Sequence, residues 1–506
     1  MADNVTRPEP EPVDDKNLET QEVRNDDAAS KAMILKNAWS RTSLAIAFLS
    51  LFLTTLVITF SDYSGLVLES YVTSEFRSHS AMSSARVVMN ITRIVAYPVI
   101  AKLSDTAGLF DAIGATGFTL VQQAFLADAT NLVDRAFSST VPESITTIPA
   151  LYLGTIMGYG TWAIVTPIVA VPLIITISIL QKRAKKHGLQ VKTFSAVAGY
   201  SPDSPMWKKV FHLIWTEIDF LGLILPIAGL SLILISVSLT GSLNPQRRKE
   251  GSFIAMLVVG AICFAAFLVW DLKYAQKPHI PWRMANKTVI AGCAIQMFDF
   301  LGYPLFTIFF PSYLQVAGQF SPGHATRIDN SLRVVFQISG LFVAVGMKYT
   351  KNAQYWILAG PNGDSRQVSV QAVVSRQEVA VVTGLFQAAT SVGGALSTSI
   401  SGAIWRKTLP TKLAYYLPEE NRSNSTLIFQ DIVTAKSYLP GTDARAAINP
   451  GYSESQMILA IVATCFCVPN LVIMFFMKNM KLDEEDEKDE KGIIRAIAKI
   501  EQQGEQ

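Results

Sequence analysis

Charge is scarce in this 506-residue chain and scarcest where apolar residues run longest: 16% of residues are Asp, Glu, Lys or Arg, while half are hydrophobic. The motifs of bound-substrate chemistry are missing too. No Gly-x-x-x-x-Gly-Lys loop is present to cradle a nucleotide, and there is neither a His-Glu-x-x-His nor a Cys-x-x-Cys pair to hold a metal. The five histidines, His79, His187, His212, His279 and His324, are scattered among loops and span ends. Of the four cysteines, Cys263, Cys293, Cys465 and Cys467, all fall within apolar runs, where a thiol packs as a small hydrophobe. An enzyme is not expected, nor a resident cofactor or protein-held metal. The net charge of +3 indicates no nucleic-acid partner.

What remains is apolar length. A hydrocarbon core about 30 Å thick needs about 20 residues of helix at 1.5 Å rise each. The windows 43–60, 161–180, 221–240, 252–270 and 457–477 carry no acidic or basic side chain at all. With a mean hydropathy of +0.31, this predicts an all-α, polytopic transmembrane bundle with lipid as its main solvent, since lipid leaves the backbone no partner but itself. Residues 1–37, rich in Asp, Glu, Pro and Asn, read as a disordered tail, and 478–506 as a charged one.

Clear spans are expected near 43–60, 83–102, 161–181, 219–240, 252–270, 288–310, 330–348, 378–404 and 456–477. One of the shorter stretches 112–127 and 144–159 spans and the other is re-entrant, giving ten full spans. Basic loops stay in the cytoplasm, which assigns QKRAKKHG (181–188), KYAQKPHIPWRMANK (273–287) and KNMK (478–481) to that side along with both termini. The segment 406–455 then lies outside, and it holds two glycosylation sequons, Asn421-Arg-Ser and Asn424-Ser-Thr. The basic PQRRKE (245–250) is the exception, on the outside despite its charge.

Polar groups inside spans are costly and mark cavities, relays or substrate sites. Arg86, Asn90, Arg93 and Tyr97 recur at helical spacing on one face. Gln296, Asp299 and Tyr303 do the same beside the break at Gly302 and Pro304, and Arg333 and Gln337 sit one turn apart. Gln122, Gln123, Asn90 and Gln337 suit helix-to-helix hydrogen bonding as well as a pathway. Asp299 is the candidate for a coupling ion or substrate contact, with Arg93 beside it as a pathway charge. Gly394, Thr398 and Gly402 form a small-residue stripe suited to close helix packing.

The stretches PVIAKLSD (98–105), QQAFLADATNLVDR (122–135), GYGTWAIVTPIVAVPL (158–173), FDFLGY (298–303) and the block 370–410 resemble the fungal siderophore-iron transporters of the major facilitator superfamily. The resemblance runs from about 37 to 482. It implies a two-bundle fold of fourteen spans, in the plasma membrane or endosomal vesicles, that takes up ferric siderophores with protons. The partners it implies are a small-molecule ferric siderophore, protons and the lipid bilayer.

On that resemblance Asp62 follows the first span, Asp105, Asp128 and Arg135 take gating positions, and Asp299 falls in the substrate-facing half. The last external loop would capture the chelate with Tyr415, Tyr416, Phe429, Tyr438 and Arg445. The implied organisation is a bundle at 38–181, shortened near 106–160, a cytoplasmic loop at 182–217, linker spans at 218–275 and a second bundle at 276–405, shortened near 360–370. The external loop 406–455 and the last span 456–477 complete it. About three of the family's spans are missing: Thr106-Ala107-Gly108 stands where a third span and its gating arginine would follow, and PNGDSRQVSV (361–370) replaces most of two more. A drug or toxin exporter of the same superfamily, a substrate-binding sensor and a non-transporting truncated paralogue are the alternatives.

Overall fold

The computed structural model describes residues 81–107, 219–239, 251–275, 286–352, 363–374 and 378–475, and scattered positions elsewhere, with backbone alone at 100–107, 238–239 and 363–365. The described residues are all-α apart from one isolated bridge between Asn352 and Lys481. The helices are α1 (Ala81–Ala107), α2 (Phe220–Leu239), α3 (Gly251–Lys273), α4 (Lys287–Thr307), α5 (Phe310–Val316), α6 (Pro322–Thr350), α7 (Gly363–Gln371), α8 (Val379–Tyr416), α9 (Glu419–Arg422), α10 (Ser425–Gln430), α11 (Ile432–Ser437) and α12 (Asp443–Met474).

Six of these segments are long and apolar enough to cross a membrane: Phe220–Val237, Gly251–Lys273, Lys287–Val316, Pro322–Thr350, Val379–Tyr416 and Asp443–Met474. They match six of the expected spans. The polar face of α1 keeps it out of that set, although its 27 residues reach about 40 Å. Phe48–Ile58 is a shorter apolar helix on the first expected span. The stretches 112–127 and 144–159 lie outside the described residues.

The long helix α8 is the centre of the packing, against α1, α4, α12 and α2. Its small residues make that possible. A methyl added at Gly393 would strike the Met297 carbonyl of α4, one at Gly394 would come within 3.1 Å of Asn90 on α1, and one at Gly402 would strike Ser83. The stripe is thus a packing device on which three helices meet. Val87, Ile91, Leu234 and Ala395 fill the space between α1, α2 and α8.

The α2–α3 hairpin stands at the periphery. Most of α3 is exposed, with Ile254, Val258, Ile262 and Val269 facing outward as lipid-facing residues do. Its two ends are joined where Trp270 Nε1 donates to Asp219 Oδ1 at 3.0 Å and the His279 backbone donates to Asp271 Oδ1 at 2.6 Å.

Basic residues gather at one end. Lys348 pairs with Asp134 at 2.8 Å, Lys351 with Asp483 at 3.2 Å, and the core of Ala291, Ile295, Met347 and Met474 seats those ends beside the start of α4. The opposite end carries the sequons. At 38 residues α8 is about 57 Å long, well beyond a 30 Å core. Its overhang and that of α12 support α9, α10 and α11, so the segment expected as an external loop is a helical cap. Phe309, Trp405, Leu409, Ile428, Ile432 and Tyr452 form its core.

Between α6 and α8 stands α7, nine mostly polar residues where the resemblance left a gap. Its start lies level with Asp299 and its end level with Gly292, where Val370 packs against that glycine. The end of α6, the end of α7 and the start of α8 all pack near the start of α4.

Candidate functional site

Three polar clusters lie in the bundle interior. The central one joins α4 to α7. Arg366 is fully buried, and its Nη1 donates to Gln296 Oε1 at 3.1 Å and to Asp299 Oδ2 at 3.2 Å. The Asp299 side chain keeps 21% exposure, so the pair has one dry partner and one that is partly exposed. The cost of an ion in a low-dielectric interior is met here by a counter-ion and an amide acceptor. The counter-ion of Asp299 is Arg366, hidden in a polar segment without the apolar periodicity of a span.

The second cluster is one turn further along α4. Arg333 of α6 stands 3.9 Å from Asp329, one helical turn away, and lies over the Tyr303 ring with 5.6 Å to its centroid. Arg86 of α1 is close enough to act on the buried Asp329 electrostatically. Tyr303 and Arg333, expected on separate spans, therefore meet, and Asp329 was missed because it lies before the apolar part of its helix. Arg93 is half-buried on α1 and has no hydrogen bond or ion pair among the described residues.

The third cluster sits below α7. Buried Arg135 donates to Gln371 Oε1 at 3.1 Å, Gln371 donates to Thr383 Oγ1 at 2.8 Å, and Gln387 donates to Gln367 Oε1 at 3.2 Å. Together these bonds tie α7 to α8 and to the helical segment around 135. Asp62 and Asp128 lie outside the described residues, as does the side chain of Asp105.

At the far end the cap divides its expected capture residues in two. Tyr415 is 77% exposed, and Tyr416 donates to Glu454, which also pairs with Lys412. Tyr438 accepts from Asn424 Nδ2 at 3.3 Å. Phe429 and Arg445, by contrast, point inward. Arg445 is buried and donates to the Ala435 carbonyl at 2.7 Å and the Val316 carbonyl at 2.6 Å, which fixes the cap to α5. Burial, reinforced by the charge of Arg445, holds the Lys436 ammonium below its ordinary pKa, and its Nζ donates to Gln315 Oε1 at 3.2 Å.

Beneath the cap the outer end is sealed. Phe309 and Trp405 stack with centroids 4.4 Å apart, and Tyr452 meets Trp405 edge-on at 5.6 Å. His79, from the segment before α1, closes against them: its backbone donates to the Gln430 carbonyl at 3.1 Å, its Nε2 lies 3.0 Å from Ser312 Oγ, and Ser74 Oγ accepts from the Ile432 backbone at 3.2 Å. Sequence reasoning passed over His79 because a lone histidine near a span end carries no motif.

Six spans with paired charges between them define a multi-pass membrane protein. Its relatives are fungal and named as transporters, not enzymes. The chain is 28% identical to the MFS siderochrome iron transporter C of Aspergillus fumigatus and to the siderophore iron transporter mirC of Emericella nidulans, with 89% of this chain and 86% of each relative covered. It is 27% identical to the siderophore iron transporter 1 of Schizosaccharomyces pombe, over 89% of this chain and 85% of that one. The resemblance read from the motifs thus extends over most of the chain. No family model matches. A solved bacterial homolog of the human lysosomal transporter Spinster gives a TM-score of 0.32 at 12% identity, covering 87% of this chain and 98% of its own, too low to carry a fold argument.

Proposed function

We propose that this chain imports ferric siderophore chelates in symport with protons across the plasma membrane or an endosomal membrane. The observation that carries the reading is the likeness, along nearly the whole chain, to proteins named as siderophore iron transporters. Iron is cargo here: the chelate fills its coordination sphere, so the chain need contribute no metal ligand.

The geometry supports a mechanism. Asp299 is partly exposed and holds α7 through Arg366. A proton taken up by Asp299 cancels the carboxylate charge, dissolves the pair and lets α7 part from α4. The outer seal of Phe309, Trp405 and Tyr452 with His79 marks a conformation closed at the cap end. Opening it separates the segment 74–83 from the cap, while Asp105, Asp128 and Arg135 gate the other end. Tyr415, Tyr416 and Tyr438 offer rings to an arriving chelate, whereas Phe429 and Arg445 hold the cap that presents them.

Expression in an iron-limited yeast strain without siderophore transporters of its own, given one ferric siderophore at a time, tests the reading. Growth on at least one chelate is expected. Efflux of toxic compounds without growth on any chelate would favour the exporter instead. The non-transporting alternative has its own support, because alignments of 537 and 538 positions outrun the 506 residues of this chain, so its relatives carry internal segments that it lacks. Absence of uptake by a surface-expressed protein would favour that alternative.

A further inference from the structure

An arginine carries five N–H donors and never loses its charge in a protein. Among the described residues only Nη1 of Arg366 is engaged; Nε and Nη2 are buried and meet no acceptor there. Leaving such donors dry and unmatched is costly, and Arg366 already sits in the most protected part of the bundle. The fork of a guanidinium is shaped to take two oxygens of one anion.

The charge balance around it points the same way. Arg86, Arg93, Arg333, Arg366 and Arg406 are buried or half-buried along α1, α6, α7 and α8. Among the described interior residues of these helices and α4, only Asp299 and Asp329 oppose them. A passage with surplus fixed cations is a poor route for a cationic cargo and draws in an anionic one.

We infer that the substrate is a ferric chelate of net negative charge, as tris-catecholate and carboxylate ligands give, and that Arg366 binds its anionic oxygens through Nε and Nη2. This rests on the siderophore reading above and narrows it. Arg366 has no exposure in this conformation, so binding belongs to a state in which α7 has separated from Asp299 and the chelate takes the carboxylate's place. No pattern in the sequence marks the site, since Arg366 lies in a polar stretch that reads as a loop.

The test is calorimetric titration of the purified full-length protein in lipid nanodiscs with two probes, a ferric tris-catecholate and an uncharged ferric trihydroxamate. The wild type is expected to bind the anionic chelate about tenfold or more tightly than the neutral one. Arg366→Gln is expected to remove that preference, bringing the ratio of anionic to neutral affinity to about one, while Arg366→Lys restores it in part. Because Arg366→Gln strands Asp299, the double variant Asp299→Asn/Arg366→Gln, which leaves no unmatched charge, provides a folded comparison. Tighter wild-type binding of the neutral chelate, or equal loss of both probes in the variants, would overturn the inference. Failure of the wild type to bind either chelate would instead count against the siderophore reading itself.

Discussion

At the scale of single residues, the pair of Asp299 and Arg366 sets the expectations. Asp299→Asn keeps the shape and a hydrogen-bond acceptor but cannot cycle between charged and neutral forms. Uptake of a labelled ferric siderophore should fall at least about tenfold with surface expression intact; undiminished uptake would remove Asp299 from the coupling role. Stability should show the pairing independently. Breaking a buried pair from one side costs up to about 3–5 kcal/mol, and the partial exposure of Asp299 places this pair below that ceiling. A double-mutant cycle on thermal unfolding in detergent should therefore give a coupling of about 1 kcal/mol or more between the two positions. Independent effects would mean that the contact holds nothing. Asp299 was legible in the sequence because a carboxylate inside an apolar run is conspicuous. Its partner was not, because GDSRQVSVQ has no apolar face and becomes membrane-buried only through the helices around it.

At the scale of elements, α8 shows how little the chain needs in order to bring three helices together. Gly393→Ala pushes a methyl into the α4 backbone, which cannot yield as a side chain can, and should cost about 1–3 kcal/mol. Gly251→Ala, at an open position where nothing stands within 4 Å, is the matched control and should leave the unfolding midpoint nearly unchanged. The stripe was readable because its four-residue recurrence is a property of the helix itself. The cap was not, for the opposite reason. Residues 406–455 are mixed in polarity and interrupted by Pro418 and Pro440, and their short helices are fixed by contacts such as Arg445 to the Val316 carbonyl, 129 positions away. Charge-assisted hydrogen bonds contribute about 1.5–3 kcal/mol each. Arg445→Ala should therefore loosen the cap, seen as faster proteolysis between 419 and 442 in intact cells, with the spans below still protected. An unchanged cleavage rate would show that the arginine is not its anchor.

At the scale of the whole molecule, the question is whether a chain that lacks internal segments its relatives carry can still keep its cap on the outside. Orientation survives the loss of an even number of crossings and is inverted downstream by the loss of an odd number. The end of α6 and the start of α8 both pack beside the start of α4, so the number of crossings between them is even and the cap keeps its side. For the region 106–160 the same arithmetic requires one crossing between α1 and the expected span at 161–181, which returns the basic loop 181–188 to the inside, with the other apolar stretch returning to its starting side. Basic residues at one end of the described bundle and sequons at the other agree with that count. The decisive measurement uses Tyr415, which stands on the cap with its ring exposed. In a background without Cys263, Cys293, Cys465 and Cys467, Tyr415→Cys in intact cells should be labelled by a membrane-impermeant maleimide, while an epitope at the N-terminus should be reached by antibody only after permeabilisation. Labelling of the cap only after permeabilisation would mean an odd number of crossings has been lost, and the proposed direction of capture would fall with it.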